Sequence, residues 1–254
     1  MLPDLSTWLL VFLRMAAFVS VFPIFSATHF PARIRVALAF FLSLFVLSVV
    51  PPVRLAGDSF FQTVTLMAVE VVAGLMLGFV SRLVFYALDL AGGFISSDIG
   101  LSTPNAMNPL TQSQGSDTGQ VLFYLGAIIW LGLDLHHQLF LALAQSYRLL
   151  PMGGLGTSEV LARDIAVRTG GVLVIAIRIA SPMMAVSFMI NLLFSMLGRA
   201  VPQMNVFTES FAIKILAGLT VFGMTCEITG QHVSNALRRL PMDVLRVAEL
   251  LHGG

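Results

Sequence analysis

Long apolar runs dominate this chain and restrict what it can fold into. Six of them follow one another, separated by short segments rich in proline or polar residues. They comprise residues 5–25, 34–50, 60–95, 121–150, 165–197 and 211–228. About 20 consecutive apolar residues suffice for a helix to cross a bilayer. The charged fraction of 11% is far below the roughly 25% typical of soluble domains. Neither strand-like alternation nor an internal repeat is visible in the sequence. The sequence therefore predicts an all-α, polytopic helical membrane protein with about six long, partly broken helices.

Several ionisable residues lie inside these runs, where lipid does not tolerate them. A charged side chain at the centre of a bilayer costs at least about 2.5–3.5 kcal/mol. Such groups are therefore expected to face other helices, other subunits or a water-filled lumen. Arg14 and Lys214 lie near helix ends, so their long side chains could instead reach the membrane interface. The predicted intramembrane charges are Arg14, Glu70, Arg82, Arg178 and Lys214.

A polar interruption at residues 96–120 separates the third run from the fourth. Between Ile99 and Val121 it contains two prolines, three glycines and a single ionisable side chain, Asp117. This composition excludes a continuous helix and excludes contact with lipid. Loops of this length in compact proteins are usually functional or disordered. We expect this segment to lie in water or in a water-filled protein cavity.

The runs suggest a single domain over residues 1–254. We expect N-terminal helices over about 1–150, a C-terminal helical hairpin over about 160–235 and an amphipathic tail over about 236–254. The tail alternates charged and apolar residues, so it is expected on a membrane surface or on a partner. Gly74 and Gly78 form a Gly-x-x-x-Gly pair in the third run. Such a pair fits packing within the chain and a contact between subunits equally well.

Several kinds of chemistry are disfavoured by the composition. A net charge of +1 with scattered basic residues argues against a nucleic-acid partner. Cys226 is the single cysteine, which excludes an intrachain disulfide or a thiolate metal cluster. Asp134, His136 and His137 are metal-ligand types, but adjacent histidines point about 100° apart on a helix. The serines at 102, 113 and 116 in the polar interruption lack the Gly-x-Ser-x-Gly context of a hydrolase nucleophile. We therefore expect no catalytic residue, no cofactor and no metal.

Four short motifs occur in a fixed order along the chain. They are PARIR at residues 31–35, DLHH at 134–137, SYRLLPMG at 146–153 and RAVPQMNVF at 199–207. The last motif forms a short polar turn between two apolar runs. Together the four motifs resemble the FliR/SctT family of type III export-gate subunits, in the order and register of that family. The resemblance covers the chain from about residue 23 to residue 228.

This resemblance implies a non-enzymatic structural subunit of the flagellar type III protein export apparatus. Its expected location is the bacterial inner membrane, as a multi-pass protein of the flagellar basal body. Members of the family form a gated helical channel with FliP-like and FliQ-like subunits, through which flagellar proteins are exported. FlhB-like and FlhA-like export components are further expected partners, together with membrane lipid.

Two other functions remain open at this point. The first is the equivalent subunit of a virulence type III injectisome, because the motifs are common to both systems. The second belongs to a different class, a small-solute permease with a substrate site at the broken connection after the third run. Permeases of that kind usually show a repeated half, which this chain lacks.

The resemblance also implies a role for the polar interruption, and the polar turn at residues 199–207 is a second candidate site. In the family, the segment that begins Gly-Leu-Ser projects into the channel lumen as a plug. Thr103 and Ala106 stand at family aromatic positions, so Met107 and Leu110 are expected to seal the pore. The plug loop comprises Gly100, Leu101, Ser102, Thr103, Met107, Asn108, Pro109 and Leu110. The subunit contact turn comprises Arg199, Pro202, Gln203, Met204, Asn205 and Phe207. Side-chain amides in this turn offer donors and acceptors to a neighbouring subunit.

Overall fold

The structure is a computed structural model that describes residues 5–26, 30–51, 60–100, 116–156, 159–201, 203 and 205–253. Within these ranges all regular secondary structure is helical, which confirms the all-α prediction. The helices are α1 Leu5–Val21, α2 Pro23–Ser26, α3 Ala32–Leu47, α4 Phe60–Ile99, α5 Asp117–Gly132, α6 Leu135–Leu149, α7 Glu159–Ala200, α8 Val206–Leu237 and α9 Leu240–Leu251.

Three helical stretches in the described part are long and apolar enough to cross a membrane, which confirms a polytopic membrane protein. They are Phe60–Ile99, Glu159–Ala200 and Thr208–Leu251. Helices α5 and α6 form a further span if the bent pair is taken as one unit. The long helices extend beyond the apolar runs and include polar residues at the ends of those runs.

The fourth apolar run is divided into two helices. Helix α5 ends at Gly132 and α6 begins at Leu135. The break follows Gly132 and lies at Asp134, whose backbone has a left-handed conformation with φ 54° and ψ 24°. Aspartate is among the few non-glycine residues that adopt this conformation readily. Asp134 therefore lies in a turn and not within a span.

The chain is divided into two compact units. The first comprises Met1–Val84, Leu133–Thr169 and Arg238–Gly254, and the second comprises Phe85–Gly132 and Gly170–Leu237. Helices α4 and α7 each contribute one part to each unit. The predicted partition into N-terminal helices, hairpin and tail stays a prediction.

In the first unit, α4 packs closely on α1 at Gly74 and Gly78. A Cβ atom on Gly74 would collide with the backbone carbonyl oxygen of Arg14 and would lie 2.8 Å from the Ala17 Cβ atom. A Cβ atom on Gly78 would lie 3.0 Å from the Val21 Cβ atom. Only glycine allows so close an approach between helices. The Gly-x-x-x-Gly pair therefore serves packing within the chain, and the alternative of a subunit contact is wrong for these two residues.

The amphipathic tail also packs within the first unit. Helix α9 lies against α6, and its apolar side is buried, including Val244, Val247 and Leu251. On its polar side, Asp243 accepts a hydrogen bond from Arg168 of α7. Arg168 also pairs with Asp164 at 2.5 Å. The apolar face of this helix is thus covered by the chain itself, and not by a membrane surface or another protein.

In the second unit, α7 passes through Pro182 without a break in its helix. Proline has no amide N–H, so the carbonyl oxygen of Arg178, four residues earlier, loses its usual donor. The Ser181 hydroxyl replaces that donor, at 3.0 Å from the Arg178 oxygen. Nearby, the Ser187 hydroxyl donates to the Asp98 carbonyl oxygen near the end of α4. A proline inside a helix usually kinks it, and a kink at Pro182 stays a prediction.

Candidate functional site

A buried ion pair joins α1 to α4 inside the first unit. Arg14 and Glu70 both have side chains with 0% exposure. The Arg14 Nε atom lies 2.6 Å from Oε2 of Glu70, and Nη2 lies 3.0 Å from Oε1. This two-point geometry is the strongest form of an arginine–carboxylate pair. Arg14 therefore does not reach the membrane interface, and the alternative considered for it from the sequence is wrong.

The segment that follows α6 completes the surroundings of this pair. The Leu150 carbonyl oxygen accepts hydrogen bonds from Nη1 and Nη2 of Arg14, both at 3.2 Å. The Gly153 N–H donates to Oε1 of Glu70 at 3.3 Å. The guanidinium carbon of Arg14 lies 3.9 Å from the centre of the Tyr147 ring. The SYRLLPMG motif thus supplies an aromatic ring, a carbonyl and an amide to one buried charge cluster. The polar groups of this cluster form hydrogen bonds with one another.

The other predicted intramembrane charges have different surroundings. Arg82 is half-buried and makes an interaction within the structure. Lys214 of α8 is half-buried and acts electrostatically on Asp98 of α4. Arg178 of α7 is exposed, and in the described part of the chain its guanidinium forms no ion pair or hydrogen bond. Among the five charges, Arg178 is therefore the one that the described structure leaves without a partner.

A large apolar surface of the second unit is uncovered. In α7, Phe188, Met189 and Met196 are 61%, 60% and 71% exposed. In the stretch Thr208–Leu251, only 6% of the most apolar window is buried. Such a surface must be covered by lipid or by other protein helices.

The polar turn between α7 and α8 presents its side chains to the outside. Gln203 and Asn205 are exposed. The Asn205 side-chain oxygen accepts a hydrogen bond from the Thr208 N–H at 3.4 Å, as at the start of many helices. Arg199 is exposed in the last turn of α7, where a positive charge complements the helix dipole. Pro202 and Met204 lie outside the described residues, as does the side chain of Phe207. The role of the turn in subunit contact stays a prediction.

The plug loop lies mostly outside the described residues, whereas its two ends are defined. Leu101, Ser102, Thr103, Met107, Asn108, Pro109 and Leu110 are the predicted plug residues outside the described ranges. Gly100 follows α4 with a left-handed φ of 84°, as glycine often does after a helix. At the other end, the Ser116 hydroxyl accepts a hydrogen bond from the Gly119 N–H at 2.9 Å and caps α5.

The two ends of the plug loop are close together in the second unit. The Ser96 hydroxyl of α4 donates to the Thr118 hydroxyl oxygen of α5 at 2.9 Å. One turn earlier, Gly92 of α4 lies very close to Gly119 of α5. A Cβ atom on Gly92 would collide with the backbone of Gly119. The loop therefore starts and finishes at one place on a tightly packed pair of helices.

The side chains of Asp134, His136 and His137 lie together at the turn between α5 and α6. Oδ1 of Asp134 is 3.6 Å from Nδ1 of His137 and 3.9 Å from Nε2 of His136. The two imidazole rings are 4.0 Å apart. Contrary to the expectation that adjacent histidines point apart on a helix, these three groups are close enough to share a cation. The expectation that the chain holds no metal stays a prediction.

The chain is similar to known proteins over most of its length. Residues 5–240 match the family model described as "Bacterial export proteins, family 1". The "Flagellar biosynthetic protein FliR" of Bacillus subtilis is 29% identical over 212 residues, which cover 82% of this chain and 81% of the relative. The protein of the same description from Aquifex aeolicus is 28% identical over 237 residues, covering 91% and 89%. The "Yop proteins translocation protein T" of Yersinia pestis is 27% identical over 179 residues, covering 70% and 69%.

Proposed function

Because the chain belongs to the bacterial export proteins, family 1, we propose that it is a structural subunit of the flagellar type III export channel. In this proposal it forms the gated channel with FliP-like and FliQ-like subunits in the bacterial inner membrane, at the flagellar basal body. FlhB-like and FlhA-like components are further partners, and flagellar proteins are the substrates that pass through. The chain itself catalyses no reaction.

The uncovered apolar surface of the second unit is the observation that carries this proposal. A helix bundle that functions alone in lipid keeps its ionisable groups inside, as Arg14 and Glu70 are kept. Arg178 is instead exposed on a long apolar helix, and the neighbouring helix α8 is also largely exposed. Both features fit a chain whose second unit is completed by other subunits.

The flagellar system is favoured over an injectisome by the extent of the matches. The FliR relatives from Bacillus subtilis and Aquifex aeolicus are matched over 82% and 91% of this chain, and the Yersinia pestis relative over 70%. An injectisome subunit remains the second candidate because that relative is a translocation protein. The permease hypothesis receives no support from the family match.

Co-expression with FliP-like and FliQ-like subunits tests the proposal. We expect the chain to co-purify with a tagged FliP-like subunit from detergent-solubilised membranes, and native mass spectrometry to report one complex containing all three proteins. The control is co-expression with an unrelated polytopic membrane protein carrying the same tag. A monodisperse, thermally stable monomer that binds neither the FliP-like nor the FliQ-like subunit would contradict the proposed function.

Gln203→Ala tests the contact turn. Gln203 is exposed, and its side-chain amide makes no hydrogen bond to the described residues. The substitution should therefore leave the folding of the chain unchanged but reduce the recovered complex severalfold, with a smaller swimming zone in soft agar. Asn205→Ala is the less specific variant, because Asn205 also caps α8. Wild-type motility and wild-type complex yield in Gln203→Ala would show that the turn is merely a connector.

A further inference from the structure

Arg178 lies in an unusual position on α7. From residue 169 to residue 198 it is the single ionisable side chain. It lies ten residues after Arg168 and 21 residues before Arg199. At 1.5 Å per residue these intervals are about 15 Å and about 32 Å along the helix. Both distances are longer than an arginine side chain reaches, so Arg178 is deep within an apolar segment.

The face that carries Arg178 is largely exposed in the second unit. In an α-helix, residues at intervals of about 3.6 lie on one side. Val174, Ala185, Met189, Leu192 and Met196 share the side of Arg178, and all five are exposed. The opposite side of the helix is buried and includes Ala176, Ala180, Met183, Ser187 and Ile190. The guanidinium therefore projects from an apolar stripe that its own unit does not cover.

The same chain shows what an arginine requires at such a depth. Arg14 directs its donors at the Glu70 carboxylate and the Leu150 carbonyl oxygen. Arg178 has no such acceptors among the described residues. An arginine remains charged in proteins and is costly in lipid without a counter-charge. Its five N–H groups match a carboxylate in a two-point arrangement.

We propose that Arg178 forms an ion pair with a carboxylate on an apolar transmembrane helix of a neighbouring export subunit. That helix packs along the stripe of Val174, Ala185, Met189, Leu192 and Met196. This inference rests on the proposed function and specifies its chemistry. The neighbouring helix presents small or apolar residues to the stripe and one aspartate or glutamate at the level of Arg178.

Arg178→Leu separates this pairing from the alternatives. Leucine removes the charge and suits lipid, so an arginine that contacts only lipid phosphate or lumen water would be replaced without loss of assembly. A paired carboxylate would instead be left alone in an apolar interface. We expect at least a tenfold loss of complex recovered with a tagged FliP-like subunit, and partial recovery in Arg178→Lys. The amount of the chain in membranes should stay at the wild-type level.

The matched control is Arg163→Leu. Arg163 is an exposed arginine of the same helix, in its polar first part. This variant should assemble like wild type. If wild-type chain fails to assemble with the FliP-like and FliQ-like subunits, the proposed function fails and this inference with it. If wild type and Arg178→Leu assemble equally well, only the inference is overturned.

Crosslinking gives a second measurement that keeps Arg178 intact. In a Cys226→Ser background, Ala185→Cys carries a photoreactive maleimide two helical turns beyond Arg178 on the same stripe. We expect an adduct with a FliP-like or FliQ-like subunit within seven residues of an aspartate or glutamate. Exchanging that acid for arginine should restore assembly to Arg178→Glu. An adduct with lipid alone, or with a second copy of this chain, would overturn the proposal.

Discussion

Replacing Glu70 with leucine should strongly destabilise the first unit. It removes the carboxylate that holds the Arg14 side chain, which has 0% exposure. Breaking a buried ion pair by deleting one partner costs about 3–5 kcal/mol, because the remaining charge is buried without compensation. Leu150 would then be the remaining hydrogen-bond acceptor for Arg14 among the described residues. We expect a loss of this size in the free energy of unfolding in detergent and a strongly reduced level of the chain in membranes.

The double variant Arg14→Leu/Glu70→Leu tests the reason for this loss. With both charges removed, no buried charge is left unpaired, and apolar replacements of a buried pair are often neutral. The double variant should therefore recover much of the stability lost in Glu70→Leu. Glu227→Leu is the matched control, since Glu227 is an exposed glutamate of α8 and its replacement should change stability little. Equal stability of Glu70→Leu and wild type would contradict the role of the pair.

The sequence indicated both members of this pair but not the pairing. Arg14 and Glu70 each stood out as a charge within an apolar run. Their contact depends on the crossing of α1 and α4, where Gly74, one turn after Glu70, approaches the Arg14 backbone. Two apolar runs carry opposite charges, and a glycine lies one turn after the acidic residue. This combination could have suggested the crossing. The hydrogen bonds from the Leu150 carbonyl and the Gly153 N–H could not be predicted in this way. Every residue has a backbone carbonyl, and every residue except proline has a backbone N–H, so the residue type does not indicate these bonds.

Breaks in the helices were only partly predictable. The apolar run at 121–150 gave no periodic sign of the break between α5 and α6, where Asp134 has a left-handed backbone. At Pro182 the helix continues, and the Ser181 hydroxyl donates to the Arg178 carbonyl oxygen that lost its amide donor. Hydropathy reports how apolar a segment is, whereas both of these outcomes depend on local backbone hydrogen bonds.

The sequence also did not predict what covers the apolar face of an amphipathic helix. The alternation in α9 correctly indicated one apolar face, but the same pattern suits a membrane surface, a partner or the rest of the chain. Contact with α6 and the ion pair from Arg168 of α7 to Asp243 of α9 decide the outcome. The stripe that contains Arg178 differs from α9, because no described residue of its own unit covers it.

Deleting residues 105–112 from the plug loop should produce a channel that assembles but leaks. The segment lies outside the described residues, and its removal spares the anchors at Gly100 and Ser116. Fifteen residues separate these anchors and the deletion removes eight, so seven remain. Seven extended residues span roughly 23 Å. The bond between Ser96 and Thr118 holds the two helix ends together, so the shortened loop should close without strain.

Loss of the seal is expected because the deleted segment contains both apolar residues assigned to it, Met107 and Leu110. A plug must release an exported chain and then close again, which favours a weakly held loop over a rigid helix. At about 0.8 kcal/mol per buried methylene, two such side chains hold a loop by only a few kcal/mol. We therefore expect a severalfold increase in small-solute uptake or membrane conductance when the export machinery is idle.

A same-length replacement of residues 105–112 by glycine and serine separates the effect of these side chains from that of loop length. It removes Met107 and Leu110 but keeps the span between the anchors, so it should leak as the deletion does. Both variants must first be recovered as complete complexes, so that a leak is not caused by missing subunits. Unchanged conductance in correctly assembled complexes of both variants would refute the plug, and the loop would then act as a packing element between subunits.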